Sequence, residues 1–167
     1  MSIKVTKETD LQQDLIDECI KLGGFGFKLQ DKYLKGKPDL FLKLPSGIVI
    51  FVEVKIIRHA RYTLSPSFDK LQLDYMKQLH ENNIPIFGLM FAINPDKYVD
   101  FKIATHSELA ALHEKFGNIR YHITSFQRCR SFEQVLHEIE NCFVGCISQS
   151  FKLKEKTSEK FIGGLSA

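Results

Sequence analysis

Pro38-Asp39-Leu40-Phe41-Leu42-Lys43-Leu44, Pro45-Ser46-Gly47 and Ile48-Val49-Ile50-Phe51-Val52-Glu53-Val54-Lys55 run consecutively, and this stretch decides the fold. The first segment alternates and the second is a tight-turn sequence. The third is dense in β-branched and aromatic residues, so the three read as a β-hairpin. Alternation along the second strand sends Ile48, Ile50, Val52 and Val54 to one face and Val49, Phe51, Glu53 and Lys55 to the other. A carboxylate and an ammonium at the end of an apolar strand are costly to desolvate unless they face a cleft, a metal or each other. Antiparallel pairing through a short turn also returns the start of the first strand, Asp39, to the end of the second. Asp39 and Glu53 can then share one hard cation through oxygen, as Mg²⁺ prefers. Lys55, a donor with no acceptor, can hold or activate a water there. These are the parts of a metal-assisted phosphodiester hydrolase.

Upstream, Leu11, Leu15, Cys19 and Leu22 recur at spacings of three and four, which predicts an amphipathic helix over Glu8 to Leu22, stopped by Gly23-Gly24. Phe25 to Leu29 reads as a short strand and Gln30 to Lys37 as an exposed, lysine-rich loop. Downstream, Ser65-Pro66 followed by Leu71, Tyr75, Met76 and Leu79 predicts a second helix ending near Asn82-Asn83. Ile86 to Ile93 is a continuous apolar run between Pro85 and Asn94-Pro95, the mark of a strand buried on both faces and parallel to the hairpin's second strand. A helix over Ser107 to Lys115, a strand near Ile119 to Thr124 and a helix over Phe132 to Cys142 complete the reading. Ser148 to Ala167 alternates lysines with glutamates and reads as a flexible, mildly basic tail. No segment repeats.

The 167 residues fit one domain, and 44% hydrophobic with 26% charged residues excludes a disordered linker or acidic tail. A net charge of +3 means that any basic surface must come from local clustering of lysine and arginine. Four cysteines in this length do not make a secreted disulfide scaffold, so reduced thiols in a cytoplasmic protein are expected. Neither a signal peptide nor a membrane span is read. Cys142 and Cys146, one helical turn apart with His137 nearby, match no common zinc spacing and read as small buried residues.

Pro38-Asp39 with Glu53-Val54-Lys55 resembles the signature of the PD-(D/E)xK nuclease superfamily. Reading outward, Glu8-x-x-Leu11, Lys21-Leu22-Gly23-Gly24, Lys28, Gly36-Lys37-Pro38-Asp39, Leu44-Pro45-Ser46-Gly47, Phe51-Val52-Glu53-Val54-Lys55 and Leu64-Ser65-Pro66 resemble the ordered blocks of its VRR-NUC branch. That branch includes stand-alone phage nucleases and the nuclease domain of a eukaryotic crosslink-repair enzyme. The likeness covers about the first ninety residues. It implies an α/β, restriction-endonuclease-like core: a small mixed β-sheet flanked by helices, here with a C-terminal α/β extension. Core motifs would lie within 8–93 and an accessory region within 94–147, together one nuclease domain over 1–147, with the tail over 148–167.

The resemblance also implies roles. Asp39 and Glu53 would be metal ligands, the Val54 carbonyl a further ligand, and Lys55 the catalytic lysine. The branch places a carboxylate from its first helix at the site. Glu8 shares a helical face with Gln12, Leu15 and Cys19 and is the candidate, with Glu18 in reserve. Family members carry Gln two residues after Ser-Pro. Here Phe68 stands there, and Gln72, about one turn later, takes the role if four residues are inserted.

Lys28, Lys32, Lys35 and Lys37 precede Asp39, while Arg58, His59 and Arg61 follow Lys55; of these, Lys32, Lys35, Lys37, Arg58 and Arg61 are the expected contacts to the phosphate backbone of DNA. The expected function is Mg²⁺- or Mn²⁺-dependent DNA cleavage, structure-specific on branched DNA or a Holliday junction, in DNA repair or recombination. The alternatives are a flap, end or single-strand processing nuclease, or a DNA-binding protein that keeps the fold without cutting. A homodimer is expected, since cutting two strands symmetrically needs two sites. If the chain is phage-encoded, its place is the host-cell cytoplasm.

Overall fold

The computed structural model describes residues 7–29, 36–58, 68–93, 99–116 and 126–146. The elements are α1 (Glu8–Lys21), β1 (Phe25–Lys28), β2 (Leu40–Lys43), β3 (Val49–Arg58), α2 (Lys70–Glu81), β4 (Ile86–Ile93), β5 (Val99–Thr105), α3 (His106–Phe116) and β6 (Gln127–Arg128). A last helix, α4, spans 132–146. The strands form one mixed six-stranded sheet in the order β1-β2-β3-β4-β5-β6. Only β3 and β4 are parallel, joined by the crossover through α2; the other neighbours are antiparallel. This is the small mixed sheet flanked by helices that the sequence implies.

The hairpin forms as read: Leu40 pairs with Val52 and Lys43 with Val49. Alternation then divides the sheet into two faces. Leu40, Leu42, Ile50, Val52, Val54, Leu89 and Phe91 point to one of them and pack with Leu11, Leu15, Ile16 and Cys19 of α1 and Val135, Leu136 and Ile139 of α4. Phe51, Ile57, Ile86, Met90 and Ala104 point to the other, under Leu73 and Met76 of α2 and Leu109 of α3. Burying each such side chain contributes roughly 1.5–3 kcal/mol before ordering costs. Residues Ile86 to Phe91 are buried without a break, as expected of a strand covered on both faces.

Two sequence expectations are corrected or extended. The second helix begins at Lys70, N-capped by Asp69, rather than at Ser65-Pro66. Asp69 and Gln72 form a capping box, in which each side chain bonds the other's backbone N–H, and this fixes the start of α2. β5 is a strand that the sequence reading did not assign; buried Val99, Phe101 and Ala104 interleave with half-buried polar residues. It joins the same sheet, so the extension widens one layer rather than building another. The strand expected near Ile119 to Thr124 and the tail lie outside the described residues.

Candidate active site

β2 starts at Leu40, opposite Val52, so β3 runs on past the end of its partner. The backbone of Phe51 faces β4, since its N–H donates to the Pro85 carbonyl at 2.8 Å. One residue's N–H and C=O point the same lateral way and neighbours alternate, so Val52 and Val54 face β2. Where β2 has ended, the Asp39 side chain takes its place: the Val54 N–H donates to Asp39 Oδ2 at 2.7 Å. The Val54 carbonyl is directed to that same side.

Glu53 and Lys55 share the α2 face. Lys55 Nζ lies 2.6 Å from Glu53 Oε1, with the two side chains 11% and 1% exposed. Gln72 Nε2 donates to the same Oε1. Gln72 is aimed there because its carbonyl oxygen is already held by the Asp69 N–H in the capping box. Above the pair sits Phe68, buried, its ring centre 5.8 Å from Lys55 Nζ. Gly88 pairs with Glu53 across the sheet, and a Cβ there would come within 2.9 Å of the Phe68 ring and 2.8 Å of Leu109. The glycine leaves the space in which Phe68 packs beside the acid.

The charges are strongly coupled. Burial, and then the neighbouring Asp39, push the Glu53 carboxyl up to about 7, although Lys55 pulls the other way. Burial also raises Asp39, opposed by the Val54 N–H and by Lys55. For Lys55, burial favours loss of the proton, but Glu53, Asp39 and Glu8 outweigh it and hold the ammonium above its ordinary range. Counting Glu8, whose charge acts on the other groups from the start of α1, the formal sum is three carboxylates against one ammonium, an excess of two negative charges.

Asp39, Glu53, Val54 and Lys55 are thus brought together, with Gln72 bonded to Glu53. Glu8, at the start of α1, lies close enough for its charge to raise both other acids. Among the described residues, however, no three Asp, Glu, His or Cys side chains converge closely enough to hold an ion by themselves. Glu18, the reserve, pairs with Lys21 at 2.9 Å and is not among the charges acting on Asp39, Glu53 or Lys55. Lys28 donates to the Thr9 carbonyl at 2.9 Å, tying β1 to α1. Lys37 sits half-buried two residues before Asp39, and Arg58 is the last residue of β3. Lys32, Lys35 and Arg61 lie outside the described residues. Cys142 and Cys146 pack against the apolar core, and burial raises both thiols.

One contact was not foreseen. Gln12 of α1 is 7% exposed and its side chain hydrogen-bonds Asp39. The signal was there: a glutamine on the buried stripe of an amphipathic helix, one turn after Glu8, needs a polar partner.

No family model matches the chain. Over 53 residues it is 34% identical to “Putative nuclease p44” of Acyrthosiphon pisum secondary endosymbiont phage 1, a match covering 32% of this chain and 57% of that one. The chain therefore spans little more than half the length of that relative. Among solved structures, a “VRR_NUC domain” superposes with a TM-score of 0.40 at 25% identity, covering 66% of this chain and 97% of the other. Archaeoglobus fulgidus Hjc, a Holliday junction resolvase from an archaeal hyperthermophile, gives a TM-score of 0.37 at 16% identity, covering 54% and 73%. The motifs Pro38-Asp39 and Glu53-Val54-Lys55 thus lie on a mixed sheet flanked by helices, in a chain that is similar over 53 residues to a phage protein named as a nuclease.

Proposed function

We propose that the chain is a divalent-metal-dependent nuclease that hydrolyses DNA phosphodiesters, with branched DNA, Holliday junctions included, as its substrate class. The observation that carries this reading is the buried meeting of Asp39, Glu53 and Lys55 where β3 outruns β2. A structural ion pair would need one acid for one lysine. Here a second, half-buried acid, which also accepts from the Val54 N–H, is held beside the first and raises its pKa, which costs folding free energy. The match to the phage relative supports the same reading.

The donor set fits Mg²⁺ or Mn²⁺: two carboxylates and a backbone carbonyl are hard oxygen ligands, and the excess of two negative charges is what a divalent cation neutralises. Asp39, Glu53 and the Val54 carbonyl would hold it, with Glu8 contributing through its charge. Among the described residues, Lys55 and Gln72 both contact Glu53 through Oε1, so Oε2 is the oxygen assigned to ligation. When bound, the ion supplies Lewis acidity toward a phosphoryl oxygen and lowers the pKa of water.

The remaining work falls to the chain. Lys55, kept protonated by three acids, offers donors to an attacking water or to the charge developing on the phosphate. Gln72 holds Glu53 in place without adding charge, and Phe68 shields the lysine from solvent. Lys32, Lys35, Lys37, Arg58 and Arg61, on the segments next to Asp39 and Lys55, are assigned to the DNA backbone, and no element is assigned to sequence readout. Two such sites, in a homodimer, would cut a four-way junction symmetrically.

The test is incubation of the purified chain with four-way junction, flap, duplex and single-stranded DNA, with and without Mg²⁺ or Mn²⁺, alongside Asp39→Ala. Cleavage that needs both the ion and Asp39, fastest on the junction, is expected. Cleavage that survives Asp39→Ala or the removal of metal would exclude this site, and binding without cleavage would make the chain a DNA-binding protein. Light scattering of the same sample reads the dimer.

A further inference from the structure

We propose that Gln12 is a positioning residue: its amide fixes the Asp39 carboxylate in the orientation that receives the divalent cation. This rests on the metal-dependent reading above and adds to it a residue with no role in the resemblance. Gln12 and Glu53 are the two polar or charged residues that are buried among the described residues, and both are at this site. Leu11, Leu15, Ile16 and Cys19, at 0–4% exposure, make up the rest of the buried stripe of α1. A residue there with a packing role alone would be apolar, because a buried primary amide is costly unless bonded.

The bond it makes is to Asp39. An ionised carboxylate only accepts, so the amide NH₂ donates. Asp39 therefore has two donors from two elements, the Val54 N–H on Oδ2 and the Gln12 amide. One donor leaves a carboxylate free to turn about its last bond; two fix the plane and leave the remaining lone pairs aimed in set directions. A neutral donor does this without repelling a cation, as an arginine or lysine at position 12 would. Gln72 holds Glu53 in the same manner. Each acid is thus held by one glutamine, Gln12 from the helix packed on one face of the sheet and Gln72 from the helix on the other.

The experiment titrates Mn²⁺ into the full chain, without DNA, by calorimetry and by electron paramagnetic resonance of free Mn²⁺. Wild type is compared with Gln12→Leu and Gln12→Met, and each variant is melted in parallel. Loss of a partner behind a metal ligand costs about 10- to 100-fold in affinity, so Mn²⁺ binding at least tenfold weaker, with a melting temperature near wild type, is expected. An unchanged affinity in a folded variant would overturn the proposal and leave the nuclease reading standing. A wild type that binds no Mn²⁺ would overturn both. Should neither variant fold, ¹⁵N-glutamine spectra of wild type decide: slow exchange of the Gln12 amide protons and their shift on adding Mg²⁺ are expected, and solvent-rate exchange without a shift would refute the role.

Discussion

The two faces of β3 are made by the same ten residues and have opposite characters. Toward α1 and α4, Ile50, Val52 and Val54 are each fully buried in an unbroken apolar layer. Toward α2, Phe51 and Ile57 are apolar, but Glu53 and Lys55 stand between them, nearly as buried and charged. Depth of burial is therefore not what separates a structural face from a chemical one. The separation lies in whether the buried groups lower the free energy of the fold or raise it. Ile50 stabilises by leaving water; Glu53 is held where its ionised form is disfavoured, and the surrounding apolar layer offsets that cost.

The comparison breaks most sharply if substitutions on the two faces behave alike. On the charged face, Asp39→Ala and Glu53→Ala should each lower metal-dependent cleavage by at least about a thousandfold, and Lys55→Ala by about 10²–10³, the order expected for losing one preorganised charged donor. All three should still fold and melt cooperatively, which parallel melts check. Lys55→Ala should keep its Mn²⁺ affinity, whereas the two acid variants lose it. Wild-type cleavage by either acid variant, at matched purity, would remove the site from consideration. On the apolar face, Ile50→Ala should cost about 2–5 kcal/mol of stability, read by chemical denaturation, and leave the rate per folded molecule unchanged.

The pH dependence of stability separates the faces again. The folded value of Glu53, about 7, lies above its ordinary 4.5. Its contribution to stability is therefore full below about 4.5 and is lost as pH rises through 7, up to roughly 3 kcal/mol for a shift of this size. Asp39, also raised, acts in the same sense. His106 acts oppositely: burial, then His80 and Lys77, lower it from 6.5, so its contribution is lost as pH falls below that value. Metal-free protein should thus unfold more readily at pH 8 than at pH 6.5, and Glu53→Gln should flatten that limb while leaving the acid limb intact. An unflattened alkaline limb in Glu53→Gln would mean that burial of this acid is not what destabilises the site.

Much of this was legible in the sequence, for reasons that also mark where reading stops. The hairpin, its faces and the meeting of Asp39 with Glu53 follow from period-two alternation and a turn of fixed length, both local properties. Gln72 was reached only through an assumed insertion, and what brings it to Glu53 is the capping box with Asp69, a detail of one helix start. Gln12 needed knowledge of which residue its helix faces, a matter of packing between elements distant in the chain. β5 was missed because Lys102 and Ile103 blur its alternation, and the strand is defined by its pairing with β4 rather than by its own pattern. The basic residues are the least legible part, since solvated lysines and phosphate-binding lysines have the same sequence signature.

The smallest expected effect concerns those lysines, and it asks on which face DNA arrives. Lys35 and Lys37 lie within four residues of Asp39 in the chain, whereas Lys21, paired with Glu18 on α1, belongs to the helix over the apolar face. Each phosphate contact contributes about 0.9 to the slope of log affinity against log salt. Replacing Lys35 and Lys37 by glutamine should therefore lower the slope by about two units, weaken binding most at low salt and leave sequence preference as it was, because backbone contacts carry no sequence information. Lys21→Gln should leave the slope unchanged. Competition titrations with junction DNA at several salt concentrations decide the matter. An unaltered slope in the double variant together with a reduced one in Lys21→Gln would reverse the assignment of the two faces: DNA would then approach over α1, and the acids would have to be reached from the open end of β2 rather than from the face of β3 that carries Glu53 and Lys55.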